Sequence, residues 1–224
     1  PGYAIAWNSS YPSGGNYWSD YAGSDLNSGL YQNETGSDGF GDAPYTVDSA
    51  NVDHYPLMRL WVPFENQTIR INGDGTVDPS GAPVHRRGDA YSLTADVVSD
   101  GDGLIISKDN VTMEGGDHVL RGEGVFGSKG VDLSNRTGVT VTGMRIEDFY
   151  CGMWLGDSSN SSISDNNISN STVGIRIEGS YNKVTRNTLV NSGILLENSS
   201  YCRIYHNNFV NASAQVSGVN LGNV

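Results

Sequence analysis

The sequence is poor in the residues that make basic surfaces, disulfide frameworks and membrane spans. Its 224 residues hold 13 lysines and arginines against 25 acidic residues, a formal charge of -12, with two cysteines and five phenylalanines. Scarce positive charge excludes the footprint of a nucleic-acid binder and implies a solvated, anionic exterior of the kind that can hold divalent cations. No apolar run approaches the roughly 18 residues of a membrane span. Helical periodicity is missing as well. A start at Pro1, without methionine, is what a processed or excised piece would have.

What the chain has instead is repetition. The octets "VTVTGMRI", "SISDNNIS", "KVTRNTLV" and "RIYHNNFV" align Val141, Ile163, Val184 and Ile204 at one position and Ile146, Ile168, Leu189 and Phe209 five residues later. The steps between copies are 22, 21 and 20 residues at the first position. Between them recur "GVDL", "GMWL", "GIRI" and "GILL", which begin at Gly130, Gly152, Gly174 and Gly193. A period near 20 with short β-type segments and glycines at fixed offsets predicts a solenoid, in which each coil adds one parallel strand to each face. The aligned apolar residues are the expected inward core, together with the "GMWL"-type strands. Asn166, Asn187 and Asn207 fall in one register between them, which predicts an amide ladder at a tight bend, since each amide both donates and accepts.

This register also bears on the cysteines. Cys151 precedes one strand type and Cys202 the other, more than two coils away. At about 4.8 Å per coil the offset is near or beyond the limit of about 7 Å for a bridge. Free or intermolecular thiols are expected.

Ten of the 22 asparagines open an Asn-x-Ser/Thr sequon: Asn8, Asn33, Asn66, Asn110, Asn135, Asn160, Asn167, Asn170, Asn198 and Asn211. About four would arise by chance, so the excess predicts N-linked glycans on a secreted or surface protein. The competing account is that β-helix turns favour Asn and Ser.

Residues 1–58 carry no coil period. They are aromatic, glycine-rich and aspartate-rich, and are expected to form an irregular cap, followed by coils over residues 59–224. Tyr17, Trp18, Tyr21, Tyr45 and Tyr55, with Trp7, offer apolar faces with polar tips suited to covering an open rung. The strings "PSGGNYWSDY", "DGFGDAPYTVD" and "VDHYPLM" resemble the segment that closes NosD-like right-handed parallel β-helices, a group common among archaeal surface proteins. The resemblance continues through "IRINGDGTVDPSGAPVHRRGDAYSLTADV" and the coils to "HNNFVNASAQV", so it covers nearly the whole chain; the group is also called carbohydrate-binding and sugar-hydrolase domains. It implies an all-β right-handed parallel β-helix, in keeping with the handedness of parallel crossovers. The order departs from the family, in which the cap follows the coils. Joining the last residues to the first restores the usual run, as in one period of a repeating array, either a slice of a tandem-repeat chain or a subunit whose cap completes the coils of a neighbour.

Asp25, Asn27, Asp38 and Asp42, with Gly39, resemble the family's "D-x-N-x-D-G-x-G-D" stretch, which looks like a calcium loop. The insertion "SGLYQNETGS" separates Asn27 from Asp38 and breaks its contiguity. "NGDGTVD" and the stretch His85, Arg86 and Arg87 are expected to be turns. A hydrolase needs two carboxylates on one face. Asp132, Glu147, Asp148, Asp157 and Asp165 share no coil position; Glu178 and Glu197 fall one rung apart, with no aromatic platform or basic partner expected beside them. His54, His118 and His206 are scattered, which gives no cluster for the copper that the NosD name suggests. The expectation is therefore a non-enzymatic structural repeat unit of an extracellular filament, sheath or surface layer. Copies would join head to tail, the cap of one covering the coil around Phe209 of the next, with a carbohydrate-binding or polysaccharide-degrading domain as the alternative.

Overall fold

The computed structural model describes residues 6–8, 11, 14–58 and 67–219, and every regular element in them is a strand. The chain divides into two compact units, Pro1–Pro63 and Phe64–Val224.

The second unit is a parallel β-helix of three sheets. The first sheet stacks Ile69–Ile71, Leu104–Ile106, Lys129–Asp132, Cys151–Ser159, Val173–Ser180, Ile194–Glu197 and Val216–Val219. The second stacks Ala90–Leu93, Thr112–Glu114, Thr140–Thr142, Ser162–Ser164, Lys183–Thr185 and Arg203–Tyr205. Val97–Ser99, Val119–Gly122, Arg145–Glu147, Asn167–Ser169, Thr188–Val190 and Asn208–Val210 make the third. The chain visits the sheets in turn, so three strands rather than two make a coil.

Each octet therefore bends into two strands. Gly143, Asp165, Arg186 and His206 lie at the bend with φ of 64°, 60°, 57° and 57°. Such left-handed residues turn the chain sharply without breaking the ladders on either side. Two further corner columns have the same device: Gly138, Asn160, Tyr181 and Tyr201, and Asp148, Asn170, Asn191 and Asn211.

The residue after each corner points inward, and there the expected asparagine ladder forms. Asn166 Nδ2 donates to Asn187 Oδ1 at 2.9 Å, and Asn187 Nδ2 to Asn207 Oδ1 at 3.0 Å. The same oxygens accept the backbone N–H of Asn166 and Asn187 from the preceding coil. The amides thus replace the strand pairing that the bend interrupts, and none of these donors is buried without a partner. Serines do the same at another corner, where Ser171 N–H donates to Ser192 Oγ.

Register agrees with the repeat. Val141, Ile163, Val184 and Ile204 pair in succession, as do Ile146, Ile168, Leu189 and Phe209. All are fully buried except Ile204 and Phe209, which are half-buried against the core. The glycine column has its own cause. A Cβ on Gly152 would lie 2.6 Å from the carbonyl oxygen of Gly174, and one on Gly174 2.8 Å from that of Gly193. Successive coils approach too closely there for any side chain.

At the start of the β-helix two sheets end in antiparallel strands, Val77–Asp78 and Val84–Arg87. His85, Arg86 and Arg87 thus belong to a strand and not to a turn. "NGDGTVD" does turn, with Asn72 N–H bonded to Thr76 O.

The first unit has only two short antiparallel pairs, Asn27–Ser28 with Glu34–Thr35 and Tyr45–Asp48 with Asn51–Asp53. Its centre is Asp53, fully buried, which accepts hydrogen bonds from the backbone N–H of Asn16 and Tyr55 and from the indole of Trp18.

Candidate functional site

Four surfaces carry the chemistry foreseen in the sequence. In the first unit the aromatics are largely engaged with one another. Trp18 stacks on Tyr45 at 4.4 Å, with Trp7 and Tyr21 beside them, while Tyr55 packs on Phe40 and Tyr11. Tyr17 is 38% exposed, and Leu26, Leu30 and Tyr31 lie on the surface.

The acidic residues of the resemblance do bring two loops together. Asp25 accepts the N–H groups of Asp38 and Gly39, and Asp42 those of Leu26 and Asn27. Asp38 accepts from Gly29 and Phe40. Backbone N–H from Leu26 holds the Asp42 carboxyl below its ordinary range, whereas burial pushes Asp25 up. These oxygens are turned to N–H donors, which a cation would have to displace. No calcium site is seen, and no group of three His, Cys, Asp or Glu side chains able to hold a metal occurs among the described residues.

The outer face of the first sheet departs from expectation. Glu178 and Glu197 do fall on adjacent rungs, but a basic partner and an aromatic stand beside them. Arg176 Nη2 lies 2.5 Å from Glu178 and 2.6 Å from Glu197. Its guanidinium sits 4.1 Å from the centroid of Trp154, and Lys129 Nζ lies 5.2 Å from the same ring. The signal was in the repeat, because Trp154 and Arg176 hold the same position in "GMWL" and "GIRI" and pair directly. Cations on neighbouring rungs contact the ring, and the guanidinium joins the two carboxylates in one ion-paired cluster. This is a packed surface cluster, and its lining of Arg176, Glu178, Glu197, Asn198 and Gly218 forms a shallow groove.

The sequon asparagines cluster on the corners. Asn110, Asn135, Asn160, Asn170, Asn198 and Asn211 all have positive φ and are exposed. Asn33 and Asn167 are exposed too, Asn8 is half-buried, and Asn66 lies outside the described residues. Accessibility suits glycan attachment. Corner geometry supplies an independent reason for asparagine at six of the ten, since it tolerates the left-handed conformation.

On the last two coils the second sheet presents a basic and aromatic strip. Lys183 pairs with Arg203, and Thr185 with Tyr205. Just before these strands Tyr181 and Tyr201 stack at 5.1 Å and are 59% and 61% exposed. Sequence reasoning did not single out this strip.

Copper needs soft or imidazole donors brought together. Burial pushes the Cys151 thiol up to about 12 and also raises Cys202. Both are buried and neither is in a disulfide, as no intramolecular bridge had been expected. Cys151 donates to the carbonyl of Met153 and Cys202 to that of Gly179, while Met113, Met144 and Met153 are core residues. Among the described residues the histidines join no metal-holding group either, so the donors described there do not fit a copper centre.

Residues 88–223, more than half of the chain, match the family described as periplasmic copper-binding protein (NosD). No curated protein and no solved structure matches the chain. Among the described residues no helix is long and apolar enough to cross a membrane.

Proposed function

The chain belongs to the NosD family of β-helix proteins, and from that premise we propose that it is a structural unit of a periplasmic or cell-surface assembly, built head to tail by copies of itself. In this reading the segment 1–58 of one copy completes the last coil, around Phe209, of another. It carries out no catalysis and holds no metal. Its corner asparagines carry N-linked glycans.

The observation that carries the reading is the unlike character of the two regions. Residues 1–58 contain Asp20, Asp25, Glu34, Asp38, Asp42, Asp48 and Asp53 and not one lysine or arginine. Residues 173–219 reverse the balance, with Arg176, Lys183, Arg186 and Arg203 against Glu178 and Glu197. The last coil also exposes apolar surface, with Tyr205 at 41%, Val210 at 42% and Val216 at 47%. Opposite charge steers the encounter and fixes orientation, while apolar burial and edge-strand pairing supply affinity. A contact between different surfaces of identical copies does not close on itself, so it propagates as a fibre.

The test is electron microscopy and sedimentation of the full chain beside a variant lacking residues 1–58, with far-UV circular dichroism to check the β-helix. Fibres from the full chain and none from the folded truncation are expected. Identical fibres from both, or a full chain that stays monomeric at high concentration, overturns the reading. Glycopeptide mass spectrometry of native material checks the sugars, and unmodified Asn135, Asn160 and Asn198 would remove them from it.

A further inference from the structure

The strip on the last two coils combines two destabilising features. Tyr181 and Tyr201 adopt φ of 62° and 56°, at corners where Gly138 and Asn160 fill the same column. A bulky aromatic in the left-handed region is strained, and strain of this kind gathers where a surface has a task. Two rungs of the adjoining sheet place Lys183 directly opposite Arg203, and like charges paired in that way repel. Both are exposed, and neither makes an ion pair among the described residues. The contrast is with Arg121, Arg136, Arg176 and Arg186, each of which reaches a carboxylate within the chain.

The tyrosine rings are 12° from parallel and face one another, so one face of each is spent within the stack. Lys183 Nζ also lies 5.8 Å from the centroid of Tyr205. Two cations and exposed phenols make a row of hydrogen-bond donors. Such a row fits an extended series of carboxylates, with the Arg203 guanidinium able to take one of them bidentately.

We infer that this strip receives the acidic N-terminal segment of a second copy of the chain, through Asp20, Glu34 and other exposed carboxylates. The inference rests on the head-to-tail reading and adds its residues. Asp20, Glu34 and Asp48 are the exposed members of the acidic set, with Asp20 accepting the Tyr45 hydroxyl and Asp48 the N–H of Ala50, whereas Asp53 is buried and Asp25, Asp38 and Asp42 are less exposed and turned to backbone donors. The partner is present in equal amount by construction, because it is the same chain.

The experiment uses two full-length variants, Lys183→Glu/Arg203→Glu and Asp20→Lys/Glu34→Lys. Each alone should need at least a tenfold higher concentration to assemble than the parent chain. An equal mixture should assemble again as an alternating fibre, because each variant then meets the opposite charge on its partner. Recovery on mixing excludes misfolding as the cause of the single failures. Assembly of the parent should weaken as salt rises. A parent fibre that Lys183→Glu/Arg203→Glu leaves unchanged overturns the strip and leaves the head-to-tail reading standing; a parent chain that never assembles overturns both. Loss of binding to polygalacturonate with assembly unchanged would mean that the strip serves an anionic polysaccharide instead.

Discussion

The β-helix and the N-terminal unit satisfy their backbones by different chemistry. Along the β-helix, N–H and C=O groups pair from coil to coil, and at the corners buried amides and hydroxyls carry the same pairing across the bend. In the N-terminal unit backbone carbonyls are joined as partners by a dense set of carboxylates. Asp25, Asp38, Asp42, Asp48 and Asp53 each accept backbone N–H groups. A neutral ladder gains from repetition, since every new coil satisfies the one before. A charged brace is a single local solution and repeats nothing. The difference teaches why one region has a period and the other none, and why their responses to mutation and acid should separate.

The largest expected effect is in the ladder. Asn187→Ala removes the acceptor of the Asn166 N–H and side-chain amide and the donor to Ile163 O, all of them buried. At about 1–3 kcal/mol for each unsatisfied buried group, the cost should be about 4 kcal/mol, measured by denaturant unfolding. A loss below about 1 kcal/mol would mean that the amides are incidental to the stack.

Asp53→Ala is the matching change in the other unit. It leaves the N–H groups of Asn16 and Tyr55 and the Trp18 indole without their acceptor, at a cost of about 3 kcal/mol. Hydrogen exchange should report lost protection over residues 14–58, with the coils from Ile69 onward unchanged. Equal loss in both regions would show one cooperative body in place of two separable ones.

Acid gives the finest separation. Backbone N–H groups hold Asp42 and Asp48 below the ordinary carboxylate value of 3.8, so their ionised forms favour the folded unit. That contribution is present above 3.8 and is lost as pH falls through the lowered values. Asp25, raised by burial, works in the opposite direction and softens the transition. Amides of residues 14–58 should therefore lose protection below about pH 3.8, while the Asn166, Asn187 and Asn207 ladder, which has no ionisable group of its own, loses only what the neighbouring Asp165–Arg186 pair contributes. Simultaneous loss would erase the contrast between the two units.

Much was legible without coordinates because a solenoid writes its geometry into a period. The alignment of Val141, Ile163, Val184 and Ile204, the column from Gly130 to Gly193 and the asparagine ladder all follow from one rule: residues a coil apart become neighbours. The same rule would have placed Trp154 against Arg176, and with them the partners of Glu178 and Glu197, had the polar columns been read as closely as the apolar ones.

What the sequence alone determined was therefore the fold, the coil register and the inward core, since these depend on repeated short-range spacing. Only the tertiary structure decided that each octet bends into two sheets, because a left-handed φ at Asp165 or Arg186 leaves no mark in residue type as plain as glycine does. It alone turned the carboxylates of Asp25, Asp38 and Asp42 toward backbone N–H groups, since a loop without a period has no register to count. The coil register already sets Tyr181 by Tyr201 and Lys183 by Arg203, but the structure alone gave the two tyrosines their left-handed φ and showed the face they share with the two cations to be exposed.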